Sequence, residues 1–149
     1  MTFSGGKLAN VATGGGSSIT GGTVIKLTGV YNGIEVVGND CTLSPASDSI
    51  TVLLAGLWRV HAQAFLASGG LEFVLQCLVY VNGVERSRRW DFVVGASAFA
   101  EGTTMKVDTV LDLQAGDVVD IRGRILGAVA AVPGWLQTDD FFEVQYLGV

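Results

Sequence analysis

One histidine, His61, and two cysteines, Cys41 and Cys77, are the whole stock from which this chain could build a nucleophile–base pair or a soft-metal site. Nucleophilic catalysis needs a serine or cysteine beside a base, and a third group to orient that base. His61 with Cys77 or with a serine is the pairing on offer, and no glycine-flanked serine elbow accompanies it. A metal enzyme built inside a β-barrel needs several His and Glu ligands converging on one point, which a single histidine cannot supply. Three carboxylate pairs could do acid–base work: Asp108 with Asp112, Asp117 with Asp120, and Asp139 with Asp140. All of them fall at turns or at outward positions of alternating segments, where solvation is the expected role. Asp139-Asp140 is also the one candidate for calcium, although the usual oxygen-ligand loop is missing around it. The two cysteines lie in separate segments and read as buried thiols rather than a disulfide or a metal pair. The expectation is a chain with no catalytic residue, no metal and no cofactor, and not an enzyme.

The elements that carry these residues are short and strand-like. Leu57–Phe65 alternates strictly, with Trp58, Val60, Ala62 and Ala64 on one face and Arg59, His61 and Gln63 on the other. Thr103–Leu113 alternates in the same way, placing Met105, Val107, Thr109, Leu111 and Leu113 together. Phe73–Val81 is a more continuous apolar run, as expected of a strand buried on both faces. Further strands are predicted over Val24–Val30, Ile34–Val37, Ser49–Leu54, Val84–Arg86, Trp90–Val94, Val118–Ile125 and Phe141–Leu147. Turns are predicted at Asn32-Gly33, Gly38–Asp40, Asn82-Gly83 and Gly116-Asp117, with a loop over Ser44–Asp48. No stretch sustains a helical period. Eight to ten short strands at hairpin spacing predict an all-β sandwich or barrel.

Residues 1–22 have a different texture. Seven glycines among Ser, Thr and Ala leave few large side chains, so an arm without a core of its own is expected. Its apolar islands, Leu8–Val11 and Ile19, mark where the arm would order on a partner, with Leu8, Val11 and Ile19 as the attaching residues. A globular β domain is then expected over residues 23–149. No basic-then-apolar leader opens the chain, so synthesis in a cytoplasm without export is expected, and no apolar run is long enough for a spanning helix.

Composition narrows the partners. A net charge of -5 and a pI near 4.6 argue against nucleic acid, which needs a basic face. Arg86, Arg88 and Arg89 form the one basic cluster, read as a strand end or a pairing site for carboxylates. Only 15% of the residues are charged against 49% hydrophobic, where about 25% charged is typical of soluble domains. Either the core is large for a chain of this size or apolar surface is shared between subunits, and the second is the expectation. The apolar loop Gly127–Trp135 is the other place where a protein or glycan contact is expected.

Four segments, in order, resemble the tumour necrosis factor and complement-head superfamily. They are Gly56-Leu-Trp-Arg-Val60, Val79-Tyr-Val-Asn-Gly-Val84, Leu111-Asp-Leu-Gln-Ala-Gly-Asp-Val-Val119 and Phe141–Leu147. The resemblance covers roughly residues 50–149. It implies a ten-stranded jelly-roll sandwich and a homotrimer with apolar strands around the axis. The residues expected at that trimer contact are Trp58, Val60, Leu111, Leu113, Phe142, Val144 and Tyr146. The glycine-rich leader lacks the three-residue period of a collagen stalk. In this it resembles the versions of the fold in bacteriophage particles. The expected function is a structural virion protein, a capsid decoration protein or head fibre. It would attach to the major capsid protein or another virion protein through its arm. The alternative is a receptor-binding or adhesin tip that meets a host receptor or glycan through Trp90–Gly102 and Gly127–Asp140. Neither reading involves nucleic acid or membrane.

Overall fold

Alternation of apolar and polar residues can bury only one face of a strand, so two sheets must meet apolar face to apolar face. The computed structural model describes residues 4–9, 22–67, 73–93, 103–126, 132–133 and 140–149. Its strands are β1 (Gly5–Ala9), β2 (Ile25–Lys26), β3 (Gly33–Val37), β4 (Cys41–Ser44), β5 (Ser49–Val52), β6 (Gly56–Ala67), β7 (Phe73–Val81), β8 (Val84–Val93), β9 (Thr103–Leu113), β10 (Val118–Leu126), β11 (Val132–Pro133) and β12 (Phe141–Gly148). The front sheet runs β9-β6-β12-β1-β3, with β11 continuing the line of β12 beside β6. The back sheet runs β4-β5-β10-β7-β8, with β2 continuing the line of β5 beside β10. All pairings are antiparallel. Among the described residues the result is a sandwich, as expected from the turn spacing, with ten principal strands and two two-residue ones, the jelly-roll arrangement that the resemblance implies.

The core lies between the sheets. Trp58, Val60, Ala62 and Ala64 of β6, Met105 and Leu113 of β9, and Phe142 and Val144 of β12 face Ile50, Leu75, Val79, Ile121 and Ile125 of the back sheet. Tyr31 and Phe142 pack ring against ring at 5.8 Å, and the Tyr31 hydroxyl donates to the Gln63 carbonyl at 3.2 Å. Burial raises the pKa of that hydroxyl well above its ordinary value, so it stays a neutral donor. The loop predicted at Ser44–Asp48 is a 3₁₀ turn over Pro45–Ser47 that ends on Asp48 in a left-handed conformation. The Asp48 carboxylate accepts from the backbone N–H groups of Gly29 and Tyr31, at 2.8 Å each. It pins the chain after β2, where a strand over Val24–Val30 was expected and only Ile25–Lys26 pairs. The Asn82-Gly83 hairpin forms as predicted, with φ of 51° and 79° at its two central residues.

The arm is where expectation and structure part. Gly5–Ala9 is a strand inside the front sheet, hydrogen-bonded to β12 on one side and β3 on the other. Leu8 is fully buried in the core, so it is a core residue of the sandwich and not an attachment point. Gly5 and Gly6 are there for closeness and not for flexibility. A Cβ on Gly5 would collide with the Val144 carbonyl, and one on Gly6 would meet Cys41 Sγ and Leu43 at 2.6 Å. Val11 and Ile19 lie outside the described residues.

Candidate functional site: the outer face of the front sheet

Register sets the outer face of the front sheet into rows. One row reads Asp108, His61, Glu143, Lys7 across β9, β6, β12 and β1. The next reads Val110, Arg59, Gln145, and the last Asp112, Leu57, Gly148. On the far side of the charged row, Gln63 stands opposite Phe141.

Oppositely charged neighbours neutralise most of this face. Arg59 donates to both oxygens of Asp108, at 2.8 Å from Nε and 2.6 Å from Nη2. Hydrogen bonding to that guanidinium holds the Asp108 carboxyl below its ordinary range. Lys7 pairs with Glu35 at 3.0 Å and sits over the Phe141 ring at 4.7 Å. His61 meets the same ring edge-on, at 4.8 Å and 87°. These pairs are partly exposed and screened by solvent. They orient side chains more than they hold the fold.

At the β6 start the face turns apolar. Leu57 is 45% exposed and Val110 and Leu147 are 51% exposed. Leu57 also lines a cleft of about 330 Å³, together with Ala55, Gly56, Asp112, Gln114 and Val149. Leu53 and Leu54, in the loop that leads into β6, are exposed at the same end.

The contact residues expected from sequence fall elsewhere. Trp58, Val60, Leu113, Phe142 and Val144 are fully buried in the subunit's own core, and Leu111 and Tyr146 pack against it. A residue shut between the two sheets cannot touch a neighbour, so any subunit contact on this sheet would have to use the alternate positions of the same strands. Alternation itself gives both faces; what it lacks is the label saying which one is inside. The larger apolar set, Trp58 with Phe142, was the available signal for the inside.

The candidate catalytic groups do not converge. His61 is on the outer face of the front sheet, whereas Cys77 is 1% exposed and faces the core from the back sheet. Burial raises the Cys41 pKa to about 11, which keeps that thiol protonated. Asp117 accepts from Asn82 Nδ2 at 2.7 Å and from the Gln114 N–H at 2.9 Å, which ties two neighbouring turns together. Asp120 holds Arg122 at 2.8 Å, and Asp140 accepts from the Phe65 N–H at 2.9 Å. Asp139 lies outside the described residues. Among the described residues, no group of three or more His, Cys, Asp or Glu is placed to hold a metal ion. No helix among them is long and apolar enough to cross a membrane.

No family model matches the chain, and no curated protein matches it. Solved structures do. Murine APRIL at pH 5.0 superposes with a TM-score of 0.68 at 16% identity, covering 98% of this chain and all of the other. Eiger TNF from S. frugiperda superposes at 0.65 with 11% identity, covering 99% of this chain and 94% of the other. The fold is a TNF-like jelly roll. At these identities the likeness extends to the fold alone. A second structure of murine APRIL, at pH 8.0, agrees at 0.63 and 14% identity.

Proposed function

We propose that this TNF-like jelly roll is a non-enzymatic binding and assembly module that works as a homotrimer, with its subunits meeting on the outer face of the front sheet. The observation that carries the proposal is the exposed apolar set Leu57, Val110 and Leu147, with Leu57 also lining the cleft, on a chain with few charges. A closed three-fold contact covers such a set without leaving an open end for further growth. The setting we propose is a virus particle, as a decoration protein or head fibre, following the resemblance of the sequence to phage versions of this fold. With β1 built into the sheet, the part of the arm left to contact a capsid protein is residues 10–21, which include Val11 and Ile19. Three such segments on one trimer would raise avidity without any new contact.

Sedimentation equilibrium of the full chain tests the assembly. A trimer mass is expected. Leu57→Asp should yield monomer with an unchanged far-ultraviolet spectrum, whereas Phe142→Asp should unfold the subunit, because Phe142 is in the core. Monomer for the unaltered chain would overturn the proposal. Mass spectrometry of particles purified from the host tests the setting, and absence of the chain from them would exclude it.

A further inference from the structure

The back sheet also has an outer face, and beyond an apolar row of Phe92, Val74 and Leu126 register orders it into three further rows. The first is Trp90, Gln76, Arg124 across β8, β7 and β10; the second is Arg88, Leu78, Arg122, Lys26; the third is Glu85, Tyr80, Asp120, Ser49. Four cations stand against two carboxylates in these rows, a surplus of two positive charges on a chain of net charge -5.

The second and third rows satisfy one another. Arg88 donates to both oxygens of Glu85 at 2.8 Å, and Arg122 donates to both oxygens of Asp120 at 2.8 and 3.2 Å while lying over Tyr80 at 4.0 Å. The first row is unfinished. Gln76 is fully buried, yet neither its Nε2 nor its Oε1 has a hydrogen-bond partner. Buried amides are almost always paired, so an amide left open on both atoms needs an explanation. On one side of it stands Trp90, 54% exposed. On the other stands Arg124, whose Nε donates to the Gly22 carbonyl at 3.1 Å. The terminal nitrogens of Arg124 have no carboxylate partner among the described residues.

We propose that this row binds a carboxylated sugar. Arg88 lies over one face of the indole at 5.7 Å, and the other face is the one offered to the C–H side of a pyranose ring. The Gln76 amide is shut from solvent in this structure, and a ligand that parts the side chains over it would meet a group that both donates and accepts, as a sugar hydroxyl does. The Arg124 fork takes the carboxylate. Adjacent strands lie about 4.8 Å apart, so the three groups span roughly 10 Å, the scale of one substituted sugar ring. An acidic peptide is the less suitable occupant. The Arg88 and Arg122 forks are already held by carboxylates of this chain, so the face presents a single anion subsite and not a basic track. The site is complete within one subunit and lies on the sheet opposite the proposed trimer contact, so it does not depend on that reading.

The test is a titration of the full chain, read by the Trp90 indole N–H resonance and assigned with Trp90→Phe. The probes are glucuronic, galacturonic and N-acetylneuraminic acids, with glucose and a hexaglutamate peptide as controls. At least one acidic sugar should shift the resonance saturably, with glucose about tenfold weaker or worse. Arg124→Gln should weaken that binding about tenfold or more, and so should Trp90→Ala, measured by titration calorimetry because it removes the reporter indole. Gln76→Met should weaken it too, while raising the thermal midpoint, since it removes an unpaired buried amide without changing the volume much. A structural amide would instead lower the midpoint on replacement. No shift with any of the three acids, equal binding of glucose, stronger binding of hexaglutamate, or a Gln76→Met variant that binds normally would each overturn the proposal.

Discussion

Leu8→Ala separates a strand from an arm. If residues 5–9 were an arm waiting for a partner, truncating Leu8 would leave the isolated protein's stability within about 0.5 kcal/mol, as most surface changes do. In the structure Leu8 is fully buried, opposite Phe142 on one side and Ile34 on the other, in a sheet position with hydrogen bonds to both neighbours. Burying a leucine among rings and strands that cannot close up costs about 2–5 kcal/mol to undo, and the pinned position of β1 favours about 3. For a chain of this length that corresponds to a midpoint lowered by roughly 6–12 °C. Urea unfolding followed by tryptophan fluorescence measures it, with the slope unchanged if only the native state is affected. Protein concentration must be held fixed, because association makes the midpoint concentration-dependent. Lys7→Ala is the control: the same strand, but an outward side chain in a partly exposed pair with Glu35, expected to cost less than about 1 kcal/mol. Equal effects of the two substitutions, or a Leu8→Ala cost below about 0.5 kcal/mol, would refute the placement of β1 in the core.

Acid stability should follow the front-face ion pair. The Asp108 pKa is lowered by its hydrogen bonds from Arg59, so the pair's contribution is present above the unfolded-state value of 3.8 and is lost as pH falls through the lower folded value. Thermal midpoints should therefore hold from neutrality down to about pH 4 and fall below it, with Asp108→Asn shallowing that fall; a decline centred at pH 5–6 that Asp108→Asn abolishes would contradict the assignment. Cys41, with its pKa pushed up to about 11, should have about one part in a thousand as thiolate at pH 8. Labelling by a disulfide reagent should then be slow in the folded protein and rapid in urea, and rapid labelling of native Cys41 would show that the β1–β4 contact opens readily.

Much of the fold was legible because period-two patterning is a local signal. Trp58 through Ala64 and Met105 through Leu113 state their strand and its two faces within a dozen residues, and Asn82-Gly83 states its hairpin. β7 was legible for a different reason: with Leu75 to Val79 buried on both faces, it has no alternation and reads as an apolar run. β1 and β4 were not legible. Gly-Gly-Lys-Leu-Ala carries one large apolar side chain, and its strand state comes from partners more than a hundred residues away in β12. Composition took those glycines as freedom, whereas the sheet uses them as clearance for the Val144 carbonyl and Leu43.

The misplaced contact residues follow from the same limit. A chain with few charges suggests that apolar surface is shared between subunits, and the strands named for that role were β6, β9 and β12, which do form one sheet. Within each strand, the side chains chosen were the ones the subunit needs for itself. Trp58 and Phe142 are too large to leave to a partner, because without them the two sheets have nothing to close on. What the chain can spare is the opposite register, where Leu57 and Val110 stand exposed beside side chains already neutralised in pairs. The back sheet repeats the logic with a different outcome. Leu78 and Gln76 occupy the same central strand on the same outer face, and both are fully buried, but only one of them is apolar. A fold under pressure for stability alone would place a second leucine or methionine at position 76. A glutamine there, unpaired between an exposed tryptophan and the Arg124 guanidinium, is a central position that packing does not explain.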